Sequence, residues 1–195
     1  MTFDPAQLDS ITGFLLPDEA ALLYQLASEV PKCGTIVEVG SYRGKSTIAL
    51  TLGVKTKDYI DAALIYAIDP HTGETKGGLR FGIHDQAELF KNLLRFDVAD
   101  VVNVISMPSS AVASVWCYGL IDLLWIDGDH HYLNASTDIL LWNKLVSTDG
   151  KIVFHDYNNP DFPGVRQAVN EFVASSKWQI TQTVDTIAVL EYIKE

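Results

Sequence analysis

Two short stretches place carboxylates and imidazoles directly after apolar runs: Asp127-Gly128-Asp129-His130-His131-Tyr132 follows "IDLLWI", and His155-Asp156-Tyr157 follows "GKIVF". Carboxylate oxygen and imidazole nitrogen are donors that divalent ions accept. If the two apolar runs are neighbouring strands, their axes lie ~4.8 Å apart and Asp127 and Asp156 can converge on one cation. Two unpaired carboxylates at that spacing repel, and a divalent ion removes the penalty. His155 and Asp156 are adjacent, and successive strand side chains point to opposite faces, so both can turn to one ion only if the strand has ended before them. Asp127 and Asp156 therefore rank above His155 as metal ligands. Asp129 and His130 sit in a glycine-containing turn that lets them face the same cavity, and His130 can remove a proton near neutral pH. The alternative is that His130 and His131 only precede the helix expected over Tyr132–Leu145.

A second stretch, "TIVEVGSYRGKST" from Thr35 to Thr47, holds a glycine loop. Its tail, Gly44-Lys45-Ser46-Thr47, matches the end of a phosphate-binding loop, but that motif needs glycine where Val39 stands. The GxxxG spacing also differs from the GxGxxG of dinucleotide sites. Glu38, at the strand end, would repel phosphate and attract an ammonium or sulfonium ion. The following Lys45, Ser46 and Thr47 read more simply as the first turn of a helix with a hydroxyl cap.

The elements that must position these residues are short runs rich in Val and Ile: Thr35–Val39, Ala63–Ile68, Val101–Ile105, Ile121–Ile126 and Lys151–Phe154, separated by segments of helical length. Such alternation implies an α/β fold, a parallel sheet with helices on both faces. Pro17–Val30 has proline at its start, acids in its first turn and an apolar stripe, so it reads as a helix packed on the sheet. Trp178–Thr183 and Thr186–Tyr192 are too close in sequence for a parallel crossover, so the chain should finish antiparallel. In an open parallel sheet ligands sit at the carboxyl ends of the strands, where the glycine loop and both acid clusters lie.

At 195 residues the chain is long enough for a single domain with a sizeable core, including an N-terminal helical segment over residues 1–30. A net charge of −11 with only 14 basic residues argues against a nucleic-acid partner and leaves a small molecule. No apolar run reaches the ~18 residues of a membrane span. Two cysteines, Cys33 and Cys117, read as semi-buried apolar residues in a reducing, cytoplasmic setting. The amphipathic first helix would serve a homodimer as readily as the monomer's core.

Val37-Glu38-Val39-Gly40 with Gly44 resembles the first motif of class I S-adenosylmethionine-dependent methyltransferases, and "LIYAIDPHTG" ends a strand in an acid, Asp69, as that family does. Asp127-Gly128-Asp129-His130, Tyr132, His155-Asp156-Tyr157 and Pro163-Gly164-Val165 resemble one branch of it, the methyltransferase domain 24 type, with macrocin-type and cephalosporin-hydroxylase-like metal-dependent relatives. The likeness covers Pro17 to Val173. It implies a Rossmann-like sheet of seven strands with the last antiparallel. It also implies a donor site at Glu38, Gly40, Ser41, Gly44 and Ser46, with Asp69 on both ribose hydroxyls and Ser110 near the adenine, although Ser109 and Ser110 equally suit a helix N-cap. In the metal-dependent relatives an acid matching Asp127 and an acidic pair matching His155-Asp156 hold magnesium, and a histidine matching His130 is the base. His155 departs from that pattern, and imidazole suits manganese, iron or zinc better than magnesium.

The expected activity is methyl transfer to a hydroxyl of a small acceptor, a sugar or catechol-like diol, assisted by a divalent metal (Mg or Mn). Two rivals are a nucleotide hydrolase built on the Lys45 loop and a protein that binds S-adenosylmethionine without turnover. Acceptor specificity would lie in Met1–Phe14, Gly73–Ile83 and Tyr157–Pro163, which carry no readable code.

Overall fold

The computed structural model describes residues 3–56, 64–72 and 81–194. The elements are α1 (Pro17–Glu29), β1 (Thr35–Val39), α2 (Lys45–Val54), β2 (Leu64–Ile68), α3 (Ile83–Arg95), β3 (Val102–Ile105), α4 (Ser109–Ser114), β4 (Ile121–Ile126), α5 (Tyr132–Trp142), β5 (Val146–Phe154), α6 (Pro163–Ser175), β6 (Trp178–Val184) and β7 (Ile187–Tyr192). Among the described residues the strands form one seven-stranded sheet in the order β3-β2-β1-β4-β5-β7-β6. Pairing is parallel from β3 to β5, and β7 runs antiparallel to both β5 and β6. The expected strands sit where their Val and Ile runs placed them. Most of the glycine-rich Gly73–Ile83 and the start of the run expected at Ala63 lie outside the described residues.

Alternation along each strand builds a core on each face. Ile36, Leu123, Trp125, Val153 and Val189 meet α1, α2 and α3, while Val37, Leu124, Ile126, Ile152, Phe154 and Leu190 meet α5 and α6. Burying one such side chain contributes about 1.5–3 kcal/mol, so both faces of the central strands must stay covered. Trp125, two residues before Asp127, is fully buried, as core packing predicts. The helix expected to reach Leu145 ends at Trp142 and tightens into a 3₁₀ turn over Asn143–Leu145. Contrary to expectation, Cys33 and Cys117 are exposed free thiols, because both fall in connections, Cys33 at a left-handed turn residue (φ 55°). No helix among the described residues is long and apolar enough to cross a membrane.

Register decides where the chemistry falls. Val39 is level with both Ile68 and Ile126, and Ile126 with Phe154. The next residue of each strand then hangs by its N–H from the last carbonyl of a neighbour: Gly40 from Ile68, Asp127 from Val39 and His155 from Ile126, at 2.8–3.1 Å. Asp69 hangs in the same way from Ile105. Four adjacent strands therefore deliver Asp69, Gly40, Asp127 and His155 in one row along the carboxyl edge.

Candidate active site

A cavity of about 850 Å³ opens over this row, lined along the edge by Gly40, Ser41, Asp69, Asp127, His155 and Asp156. At Gly40 the backbone has φ +94°, and a Cβ would stand 2.0 Å from the Asp127 carbonyl oxygen, so only glycine lets β1 turn this close to β4. Gly44, also left-handed (φ +86°), is the residue before α2 and offers no side-chain cap. The hydroxyls expected to cap that helix do something else. Ser46 and Thr47 donate to the two oxygens of Glu38, at 2.5 and 2.6 Å.

Glu38 itself does not line the cavity. It points to the face covered by α2 and is completely buried, and burial, only partly offset by the two hydroxyls, pushes its pKa up to about 8. The structure therefore ties it to the first turn of α2, away from the cavity lining, and a carboxyl held this high is largely neutral near pH 7, so the direct attraction expected between Glu38 and a cation is not provided there. Ser41, by contrast, lines the cavity, and its Oγ is buried with no hydrogen-bond partner. Ser46 and Ser110 also reach the lining. Ser109 is bound to Asp138 and to the Trp142 indole N–H, which leaves Ser110 as the serine of that pair free to meet a ligand. Asp69 lines the cavity one strand over, accepting from the backbone N–H of Tyr42 (2.9 Å) and of His71 (2.7 Å).

At the other end of the row, β5 has ended at Phe154, and Asp156 takes a left-handed conformation (φ 58°), so His155 and Asp156 turn to the same side. His155 Nδ1 lies 3.0 Å from Asp127 Oδ1 and 3.2 Å from Asp156 Oδ2, and Nε2 lies 3.1 Å from Glu19 Oε2. Both ring nitrogens thus face carboxylates. Burial works against the charged ring, but Asp127, Asp156 and Glu19 outweigh it and push the His155 pKa up to about 12. Asp156 is buried and Asp127 half-buried, yet the neighbouring His155 and His130 hold both below the usual carboxylate range.

His155, expected as a metal ligand below Asp127 and Asp156, has both ring nitrogens against carboxylates, and a second imidazole, His130, stands beside the same two acids. Asp127, His130 and Asp156 offer ligand atoms all within 4.8 Å of one another. His130 Nε2 is 2.7 Å from Asp156 Oδ2 and 3.8 Å from Asp127 Oδ1, but it is out of line for a hydrogen bond and is buried without one. Two oxygens and a nitrogen with an unsatisfied atom among them fit a divalent ion, and nitrogen shifts the preference toward manganese, iron or zinc. Against burial, the two carboxylates push the His130 pKa up to about 9. Phe162 stacks on its ring at 4.2 Å.

Glu19 carries no sequence signal beyond that of an acid in a helix's first turn. It is fully buried, accepts from the Leu16 N–H, the Thr186 N–H and the Thr186 hydroxyl, and faces His155. It joins α1, the β6–β7 turn and the acid cluster in one network.

Residues 37–157 match a family model described as a methyltransferase domain, Methyltransf_24. Protein R132 of Acanthamoeba polyphaga mimivirus, itself uncharacterized, is 30% identical over 141 residues, 72% of this chain and 59% of that protein, so the chain spans under two thirds of its relative's length. Among solved structures, the O-methyltransferase NovP superposes with a TM-score of 0.75 at 17% identity, covering 91% of this chain and 81% of NovP. TomG, an O-methyltransferase from Streptomyces achromogenes solved with S-adenosylmethionine, gives 0.69 at 16% identity over 97% and 88%. At these identities the two structures speak for the fold, a Rossmann-like methyltransferase sheet. The family match spans the glycine loop, Asp69 and both acid clusters, and the chain belongs to the methyltransferase domain family Methyltransf_24.

Proposed function

We propose that the protein is an S-adenosylmethionine-dependent O-methyltransferase acting on a hydroxyl of a small molecule, with a divalent ion at the acid cluster. One observation carries this reading: a single cavity holds the glycine turn with an unpartnered Ser41 hydroxyl, Asp69 one strand away, and Asp127, His130 and Asp156 within 4.8 Å of one another. TomG was solved with the same donor, which supports the assignment. Gly40, Ser41, Ser46 and Ser110 would line the donor, and Asp69 would accept from its two ribose hydroxyls, since an ionised carboxylate has lone pairs to spare beyond its two backbone contacts.

On the acceptor side, Asp127 and Asp156 would hold the ion, whose chemistry when bound is to acidify and orient a coordinated hydroxyl. A cation held by the two carboxylates would offset the charge that favours a proton on His130, and His130 Nε2, beside both acids, would then be the group able to take the proton of the acceptor hydroxyl. Phe162 fixes the plane of that ring. Acceptors with adjacent oxygens, a sugar diol or a catechol, match two carboxylates facing one ion. The net charge of −11 disfavours nucleic acid as acceptor, and two exposed thiols suit a reducing, cytoplasmic compartment.

Calorimetric titration with S-adenosylhomocysteine, with and without Mn²⁺, tests the donor site. Micromolar binding is expected, and Asp69→Asn should weaken it roughly 10- to 100-fold by exchanging a charged acceptor for a neutral one. Failure of the folded wild-type protein to bind would overturn the reading. His130→Gln should keep Mn²⁺ affinity within a few-fold while turnover falls about 10²–10⁴-fold. Joint loss of both would make His130 a ligand.

A further inference from the structure

Asp138 is a buried carboxylate that neither the ion site nor the ribose contact uses. It stands on α5, is 8% exposed and lines the cavity. Its Oδ1 accepts the Ser109 hydroxyl at 2.5 Å, and Ser109 Oγ in turn accepts the Trp142 indole N–H at 2.8 Å. Its Oδ2 has no hydrogen bond among the described residues and lies beside Gly128, where an added Cβ would stand 3.3 Å from it. Gly128 lines the cavity as well, so the open oxygen sits at ligand space.

The chemistry of that oxygen is one-sided. Burial pushes the Asp138 pKa up, the Ser109 hydroxyl works against this, and the nearby Asp129 carboxylate adds to it, while no cation faces the group among the described residues. An ionised carboxylate has only acceptor sites, so a ligand that meets Oδ2 must bring a donor. Ser109 ties this acid to the exit of β3: Asp69 hangs from Ile105, the last residue of that strand, and α4 starts at Ser109. A nucleoside whose ribose hydroxyls meet Asp69 would carry its base toward the same wall. Adenine has one exocyclic donor to offer there, its 6-amino group.

We propose that Asp138 recognises the base of the donor: its Oδ2 accepts a hydrogen bond from the 6-amino group of adenine. The inference rests on the reading of this cavity as a donor site. Ser110, which lines the same cavity, suits donor and acceptor ligands alike, whereas a carboxylate demands a donor. The Trp142 N–H fixes the sense of the network. It can only donate, so Ser109 keeps its own proton for Oδ1, and Oδ2 is left to the ligand.

The test is the affinity of the full chain for S-adenosylhomocysteine and for its analogue with hydrogen in place of the 6-amino group, in wild type and Asp138→Asn. Wild type should bind the amine roughly 10- to 100-fold more tightly, the range for a hydrogen bond to a charged group. Asparagine keeps an oxygen for the Ser109 hydroxyl and turns its NH₂ to the cavity, so the variant should bind the two ligands within about threefold of each other. A purely structural role for Asp138 would weaken both ligands by the same factor, and an unchanged ratio overturns the proposal, as does a wild type that binds both alike. Should Asp138→Asn not fold, nuclear Overhauser contacts in the wild-type complex decide. Contact between the 6-amino protons of bound S-adenosylhomocysteine and the Asp138 β protons supports the assignment, and its absence overturns it. Failure of folded wild type to bind S-adenosylhomocysteine at all would instead bring down the donor reading, and the recognition of its base with it.

Discussion

Asp127→Asn should reduce turnover on a diol acceptor by roughly a thousandfold, while S-adenosylhomocysteine binds within about threefold of wild type. The size follows from losing one of two charges at the ion, a loss of several kcal/mol at the step where the acceptor oxygen becomes an anion. The selectivity follows from the row at the sheet edge. Asp127 keeps its backbone N–H on the Val39 carbonyl whatever its side chain, so the Gly40 turn stays in place. Asparagine has the shape of aspartate and retains a carbonyl oxygen toward His155 Nδ1, which limits the structural damage. Mn²⁺ titration of the same variant supplies a readout independent of the acceptor, and affinity should fall at least tenfold. A variant with unchanged Mn²⁺ affinity and full turnover would remove Asp127 from the ion site.

Glu19→Ala is expected to cost about 3–5 kcal/mol of stability, since it leaves a buried imidazolium and three donors without their acceptor. For a chain of this size that is a fall in Tm on the order of 10 °C. Glu19→Gln separates charge from shape, because it keeps an acceptor for the Thr186 N–H and hydroxyl and removes the negative charge facing His155. The pH dependence has a definite sign in metal-free protein. Glu19, Asp127 and Asp156 titrate below their ordinary range, so their contribution is complete above about pH 5 and is lost as pH falls. His155 and His130 titrate above theirs, so their contribution is complete below about pH 6.5 and is lost as pH rises toward about 9 and then about 12. These are the same contacts seen from both partners and do not add. The stability difference between wild type and Glu19→Ala, measured by urea unfolding, should be widest between about pH 5 and 6.5 and narrow on either side.

The strands were legible because both faces of the central sheet are covered, which turns each into a short Val/Ile run with an abrupt polar end. Those ends disclosed Asp69, Asp127 and Asp156, and the structure gathers all three into one cavity. What the sequence did not disclose depends on direction and on long-range contact. Glu38 lies one residue from the cavity edge, and only the pleat sends its side chain to the α2 face. That both nitrogens of His155 face carboxylates depends on Glu19, 136 residues away, which occupies the far side of its ring. Ser46 and Thr47 had the composition of caps, and only a buried carboxylate below them reveals that they serve it instead.

The row of four residues, each suspended from the neighbouring strand, separates two kinds of change. Lengthening or shortening the connections that enter the strands at the opposite rim leaves the level of Asp69, Gly40, Asp127 and His155 untouched. Adding a single residue inside β1, β2, β4 or β5 would push one member past its neighbours and rotate it to the other face of the sheet. Grafting experiments can therefore exchange whole connections at the far rim with the reactive edge intact, whereas the strand lengths themselves behave as fixed gauge blocks.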